Sequence, residues 1–104
     1  MNKKILNYYF KLIKLFVENK ISALQFESGY FAKWSQVVES EIKCKTEIKN
    51  GLYKLIYDIF PYIEDYVDES IVGKDYNYTK FEINKDRLFF EVKRLYQEFV
   101  NKKI

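Results

Sequence analysis

The apolar residues of this chain recur at the spacing of a helix, not of a strand, in four separate segments. That pattern restricts the fold more than any other feature of the sequence. Between about 3 and 18, Ile5, Tyr9, Leu12 and Phe16 follow one another at steps of four and three, beside Leu6, Phe10, Ile13 and Val17. Lys4, Lys11 and Lys14 fall on the other side, which makes the segment amphipathic. "ENKIS" breaks it. Ser22 followed by Gln25 has the form of a capping box, with Ile21 placed to staple onto Phe26. From about 22 to 43, Leu24, Phe31, Val38 and Ile42 at near-heptad steps predict one second helix, with Trp34 at the edge of its buried face. Ser28 and Ser35 in that stripe would let a neighbouring helix come close. The alternating charges of "ESEIKCKTEIK" mark a solvated helix end or link.

A third segment starts near Thr46 and carries Ile48, Leu52, Leu55, Ile56 and Ile59. Pro61 lacks an N–H and its ring collides with the carbonyl four residues back, so a stop or kink is expected at Phe60. A short helical turn through "YIEDYVDES" and a loop over "IVGKDYNYTKFEIN" follow. In the last segment Asn84 can cap, Asp86 suits the first turn, Leu88, Val92, Leu95 and Phe99 form the stripe, and Lys102 and Lys103 suit the C-terminal end of the dipole. The expected fold is all-α: an antiparallel four-helix bundle with a Pro-kinked third helix and a loop before the last helix, one domain over 1–104.

Composition narrows the function classes. With 48% hydrophobic and 19% aromatic residues the chain is expected to fold. Its apolar runs, such as "LIKLFV", stop well short of the ~18–20 residues that a membrane span needs. The N-terminal stretch is basic but is followed by no small-residue cleavage site, so it reads as mature helix in a cytosolic protein. The sequence has no histidine, which removes the commonest general base and metal ligand. A single cysteine, Cys44, allows no intrachain disulfide and has no histidine to activate it. There is no P-loop and no dinucleotide fingerprint. Paired carboxylates leave one formal route to catalysis; the expectation is a protein that is not an enzyme and holds neither cofactor nor metal.

Against this background one stretch is unusual. The chain carries a formal net charge of +3, yet "DIFPYIEDYVDE" contains Asp58, Glu64, Asp65, Asp68 and Glu69 with no Lys or Arg among them. If 61–69 is helical, Glu64 and Asp68, and likewise Asp65 and Glu69, are like charges one turn apart, each pair costing about 0.2–0.5 kcal/mol. On one reading Tyr62 and Tyr66 cover the core where the helix breaks and the acids are a solvated face. On the other, acids and interleaved tyrosines face a positively charged partner, steering its approach and anchoring it. The lysines of the first segment read as a solvated face, although a basic helix can also touch nucleic acid or an anionic membrane.

Two stretches resemble a known family. "KLIKLFVENKISALQF" is similar to the first helix and second-helix start of the colicin D immunity proteins, with Leu15, Phe16, Lys20, Ile21, Ser22, Ala23 and Phe26 filling the pattern. "FEINKDRLFFEVKRLYQEF" resembles that family's ending at Phe81, Glu82, Ile83, Leu88, Glu91, Val92 and Phe99. Between them, "LYKLIYDIFPYIEDYVDE" takes the place of a helix and its Pro-containing acidic turn.

The resemblance implies a four-helix bundle that neutralises the nuclease domain of a cognate toxin. The type toxin cleaves tRNA, and its immunity protein covers the active site with acidic groups standing in for RNA phosphate; related proteins accompany contact-dependent inhibition toxins. The toxin-binding residues so implied are Asp58, Tyr62, Glu64, Asp65, Tyr66, Asp68 and Glu69. The implied partner is the toxin nuclease domain, bound one to one by a monomer, with no direct contact to nucleic acid or membrane. The chain departs from that family in being basic overall, so mimicry would rest on a local patch. Two alternatives stand beside it. The pI of about 8.8 also suits a small nucleic-acid-binding regulator. Immunity proteins against membrane-active peptide bacteriocins are small basic bundles too.

Overall fold

The computed structural model describes residues 3–43 and 51–102. It is helical: α1 (Lys3–Val17), α2 (Ala23–Ala32), α3 (Trp34–Lys43), α4 (Gly51–Asp65), α5 (Glu69–Val72) and α6 (Lys85–Lys102). Among the described residues there is no strand, only one isolated parallel bridge between Tyr66 and Ile83. Cys44 and the expected start of the third helix near Thr46 lie outside the described residues, as does the side chain of Ile42.

α1 ends by local chemistry. Asn19 adopts a left-handed conformation (φ 62°). The Asn19 N–H then donates to the Phe16 carbonyl at 3.0 Å and the Lys20 N–H to the Leu15 carbonyl at 2.9 Å. This is the paired bonding of a Schellman ending, with Asn where Gly is commoner. The capping box opens α2 as expected: Gln25 N–H donates to Ser22 Oγ at 3.1 Å, and Ser22 N–H to Gln25 Oε1 at 2.9 Å. Asn84 caps α6 by accepting from the Arg87 N–H at 2.9 Å.

The expected second helix is two helices, broken at Lys33. Its buried face is also one position away from the heptad stripe. Ala23, Phe26, Tyr30 and Val37 are buried, whereas Phe31 and Val38 are 47% and 39% exposed. The cause is Tyr30. Burying a phenol requires an acceptor, and the Tyr30 hydroxyl finds the Ile56 carbonyl of α4 at 2.7 Å. Tyr9 in turn donates to the Tyr30 carbonyl and Tyr8 to the Gly29 carbonyl, both at 2.6 Å. The close approach to α1 comes at Gly29, where a Cβ would lie 2.9 Å from Leu12 Cδ1; Ser28 and Ser35 are exposed.

The core joins α1, α2, α4 and α6, with Val37 added from α3. Tyr9, Ile13, Phe26, Tyr30, Val37, Ile56, Ile59, Ile63, Leu88 and Val92 are fully buried in it. Phe16 stacks on Phe26 with centroids 4.2 Å apart, and Trp34 lies flat on Phe60 at 3.8 Å. Such rings each remove a large apolar area from water. α4 does not stop at Phe60 but runs through Pro61 to Asp65. Pro61 has no N–H to offer the Tyr57 carbonyl, and the Tyr30 hydroxyl bonds the carbonyl next to it, that of Ile56.

Candidate functional site: an acidic, cross-tied turn

The chain leaves α4 at Asp65, one turn beyond Pro61, and does not continue as a helix through Glu69. Tyr66 instead pairs with Ile83. The Ile83 N–H donates to the Asp65 carbonyl at 2.9 Å, and the Val67 N–H to the Ile83 carbonyl at 3.0 Å. This ties the end of α4 to the entry of α6. The like-charge pairs one helical turn apart therefore do not form: Asp68 is the N-cap of α5 and Glu69 its first residue.

The seven sequence-derived site residues separate into two groups. Asp58 is paired, accepting from Lys54 Nζ at 2.5 Å across one helical turn; the stretch thus has a basic neighbour four residues upstream of its first acid. Tyr62 is half-buried against the core, and its hydroxyl lies 3.5 Å from Arg94 Nη2 in a network built on Glu91. Tyr66 is buried, and its hydroxyl donates to Asp68 Oδ1. Asp68 also accepts from the Ser70 N–H at 3.0 Å and from the Ser70 hydroxyl. Those bonds, Ser70 first and Tyr66 next, hold the Asp68 carboxyl below the usual carboxylate range. Burial first, then the bond to Asp68, pushes the Tyr66 phenol up. Glu64, Asp65 and Glu69 are exposed.

Two further acids, outside the quoted stretch, belong to this surface. Glu27 on α2 is close enough to Asp68 that its carboxyl is raised, by partial burial first and by the Asp68 charge second. α2 and α4 run antiparallel here, since Tyr30 meets Ile56 while Glu27, earlier on α2, faces the turn after α4. Glu82 is fixed by three bonds: from the Tyr76 hydroxyl to both oxygens at 2.8 Å and from the Thr79 N–H at 3.0 Å. The Thr79 N–H first, then Tyr76, holds its carboxyl low. Tyr78 donates to the Val67 carbonyl at 2.8 Å and meets Tyr76 edge-on at 5.2 Å. Gly73, at φ 88°, ends α5 in a conformation other residues rarely adopt. Glu82 was legible in the sequence as part of the aromatic-Glu-Ile entry to α6, but Glu27 carried no sequence signal.

The charge is segregated accordingly. Residues 64–86 hold seven carboxylates against three lysines, a formal −4, in a chain of net +3 whose other residues carry +7. A second cluster lies between α4 and α6. Glu91 is buried and bonded to Arg94 at 3.3 Å, with Arg87 at 3.8 Å. Burial raises its carboxyl, but hydrogen bonds from Arg94 and Tyr62 and the charges of Arg94 and Arg87 outweigh this and leave it low. Among the described residues no group of three or more His, Cys, Asp or Glu could hold a metal ion, and no helix is long and apolar enough to cross a membrane.

No curated protein and no solved structure matches this chain. Residues 4–88 match the family model described as bacterial self-protective colicin-like immunity, and the chain belongs to that family.

Proposed function

We propose that this protein protects its own cell by binding a cognate nuclease toxin, an RNA-cleaving one of the tRNase kind, and covering its basic active site with the acidic turn after α4. The observation that carries this reading is the segregation of a formal −4 onto residues 64–86 of an otherwise basic chain. An RNA-cleaving site is lined with cations, and carboxylates held in fixed positions complement it, speeding encounter and setting orientation. Glu64, Asp65, Asp68 and Glu69 supply the charge, with Glu27 and Glu82 beside them. Tyr62 adds contact area at its exposed edge; Tyr66 supports the turn from behind through Asp68, while Asp58 is paired with Lys54 on α4.

In this reading the protein acts by binding alone, one to one, without turnover or cofactor, in the cytoplasm where the toxin's RNA substrate lies. Its one domain is then a four-helix bundle, in which α2 and α3 form a single interrupted arm and Pro61 kinks α4. The place to seek the partner gene is the adjacent open reading frame, in a colicin-type or a contact-dependent system.

The test uses the nuclease domain encoded beside this chain's gene. Titration calorimetry should give a one-to-one complex with that domain and no heat with tRNA, and the chain should abolish tRNA cleavage. Direct binding of tRNA by the chain, with cleavage by the neighbour unaffected, would overturn the reading.

A further inference from the structure

Ile71 and Phe81 are 72% and 71% exposed, the highest exposures among the large apolar side chains of the described residues. Neither belongs to the core nor packs against it. Folding therefore gains little from either, and each leaves an apolar side chain in water. The other exposed apolar side chains differ in place: Phe31 meets Phe60 edge-on at 5.8 Å, Val38 lies on α3, and Phe90 is on α6. Ile71 and Phe81 are both in the acidic segment, one on α5 beside Glu69 and the other beside Glu82.

The backbone that carries them is braced. Val67 is tied to Ile83 and to Tyr78, Glu82 to Tyr76 and Thr79, and Gly73 N–H to the Glu69 carbonyl at 2.8 Å. Lys80 Nζ lies 5.0 Å from the Phe81 ring centroid. An anchor held in place before binding loses less entropy when its partner arrives.

We propose that Ile71 and Phe81 are the apolar anchors of the docking surface, and that the occupant is a basic protein surface bearing an apolar recess between its Lys and Arg side chains. The proposal rests on the immunity reading and deepens it. The choice of a basic occupant follows from charge complementarity: seven carboxylates against three lysines surround the two anchors in sequence. The division of labour is physical. Exposed charges at the edge of an interface act mainly on the association rate and fade with salt, whereas a buried aromatic anchor acts on the dissociation rate.

The test compares Phe81→Ala, Ile71→Ala and their double variant with Glu64→Gln/Asp65→Asn/Glu69→Gln. Each is measured by surface plasmon resonance on the nuclease domain encoded beside the gene, at low and at high salt. Phe81→Ala should speed dissociation by about 30-fold or more, with association changed less than about 2-fold and the loss equal at both salts. Phe81→Leu should recover much of it, and the thermal midpoint of every anchor variant should match the wild type. The acidic variant should slow association at low salt only. Anchor variants that dissociate like wild type, beside an acidic variant that is impaired, would overturn this inference and leave the immunity reading standing. Anchor variants with a lowered midpoint would also overturn it, since the side chains would then serve the fold. Wild-type protein that does not bind the domain would remove both.

Discussion

Asp68 sits in the acidic turn but, unlike its neighbours, holds that turn together, and replacing it by Ala separates the two roles. The substitution removes the α5 N-cap, a loss of about 0.5–2 kcal/mol. It also leaves the buried Tyr66 hydroxyl without its acceptor, adding about 1 kcal/mol, because the Asp68 side is open enough for water to replace part of the bond. The sum is about 2 kcal/mol, or a fall of about 8–16 °C in midpoint for a domain of this size. Glu64→Gln/Asp65→Asn/Glu69→Gln should leave the midpoint unchanged or slightly higher, because it removes exposed like charges from an acidic surface. Urea unfolding at pH 7, with Tyr66→Phe added to close a double-mutant cycle, measures both, and the cycle should return a coupling of about 1 kcal/mol between Asp68 and Tyr66. The sign of the pH dependence follows. The Asp68 carboxyl is lower in the folded state than its ordinary value, so its stabilisation is present above the unfolded pKa and is lost as pH falls through the folded one. Asp68→Ala should therefore flatten the acid limb of the stability curve. An Asp68→Ala protein as stable as wild type, or a triple variant that loses several degrees, would refute the assignment of structural and binding roles within the turn.

Glu91→Gln should lower stability by about 1–3 kcal/mol in urea unfolding at pH 7, since it strips the buried charge that Arg94 and Arg87 share, and the loss should shrink as pH falls through the folded pKa. Tyr30→Phe should cost about 1–1.5 kcal/mol, read by the same method, because the Ile56 carbonyl loses its buried donor. Burial raises the Tyr9, Tyr30 and Tyr66 phenols in the folded state, so their contribution is complete below the unfolded pKa and is lost as pH rises above about 10; urea midpoints between pH 9 and 11.5 should fall steeply, and less so in Tyr30→Phe. Circular dichroism should show a helical spectrum that a chelator does not change, since no group of three or more His, Cys, Asp or Glu among the described residues could hold a metal ion.

The helices and their ends were largely legible because they depend on neighbours three or four residues away. The apolar period of α1 and α6, the Ser22–Gln25 box and the Asn84 cap are all local, and each appears where the sequence puts it. The face of α2 was not legible. A heptad count favours Phe31 and Val38, but Tyr30 can be buried only because a carbonyl twenty-six residues away accepts its hydroxyl. The acidic stretch was visible as composition, while its division of labour was not. Asp58 belongs to Lys54, Tyr62 to the Glu91 and Arg94 cluster, Tyr66 to the core, and Asp68 to the cap of α5. Only the antiparallel packing of α2 on α4 brings Glu27 to Asp68, and only the bridge from Tyr66 to Ile83 sets Glu82, Ile71 and Phe81 in one braced segment. Sequence by itself determined which segments coil and which ends carry a local cap, since helix bonds are short in sequence, but not the break at Lys33 or the run of α4 through Pro61. Tertiary structure decided which side chains each coil hides and which acids remain free, because burial and pairing depend on partners tens of residues apart.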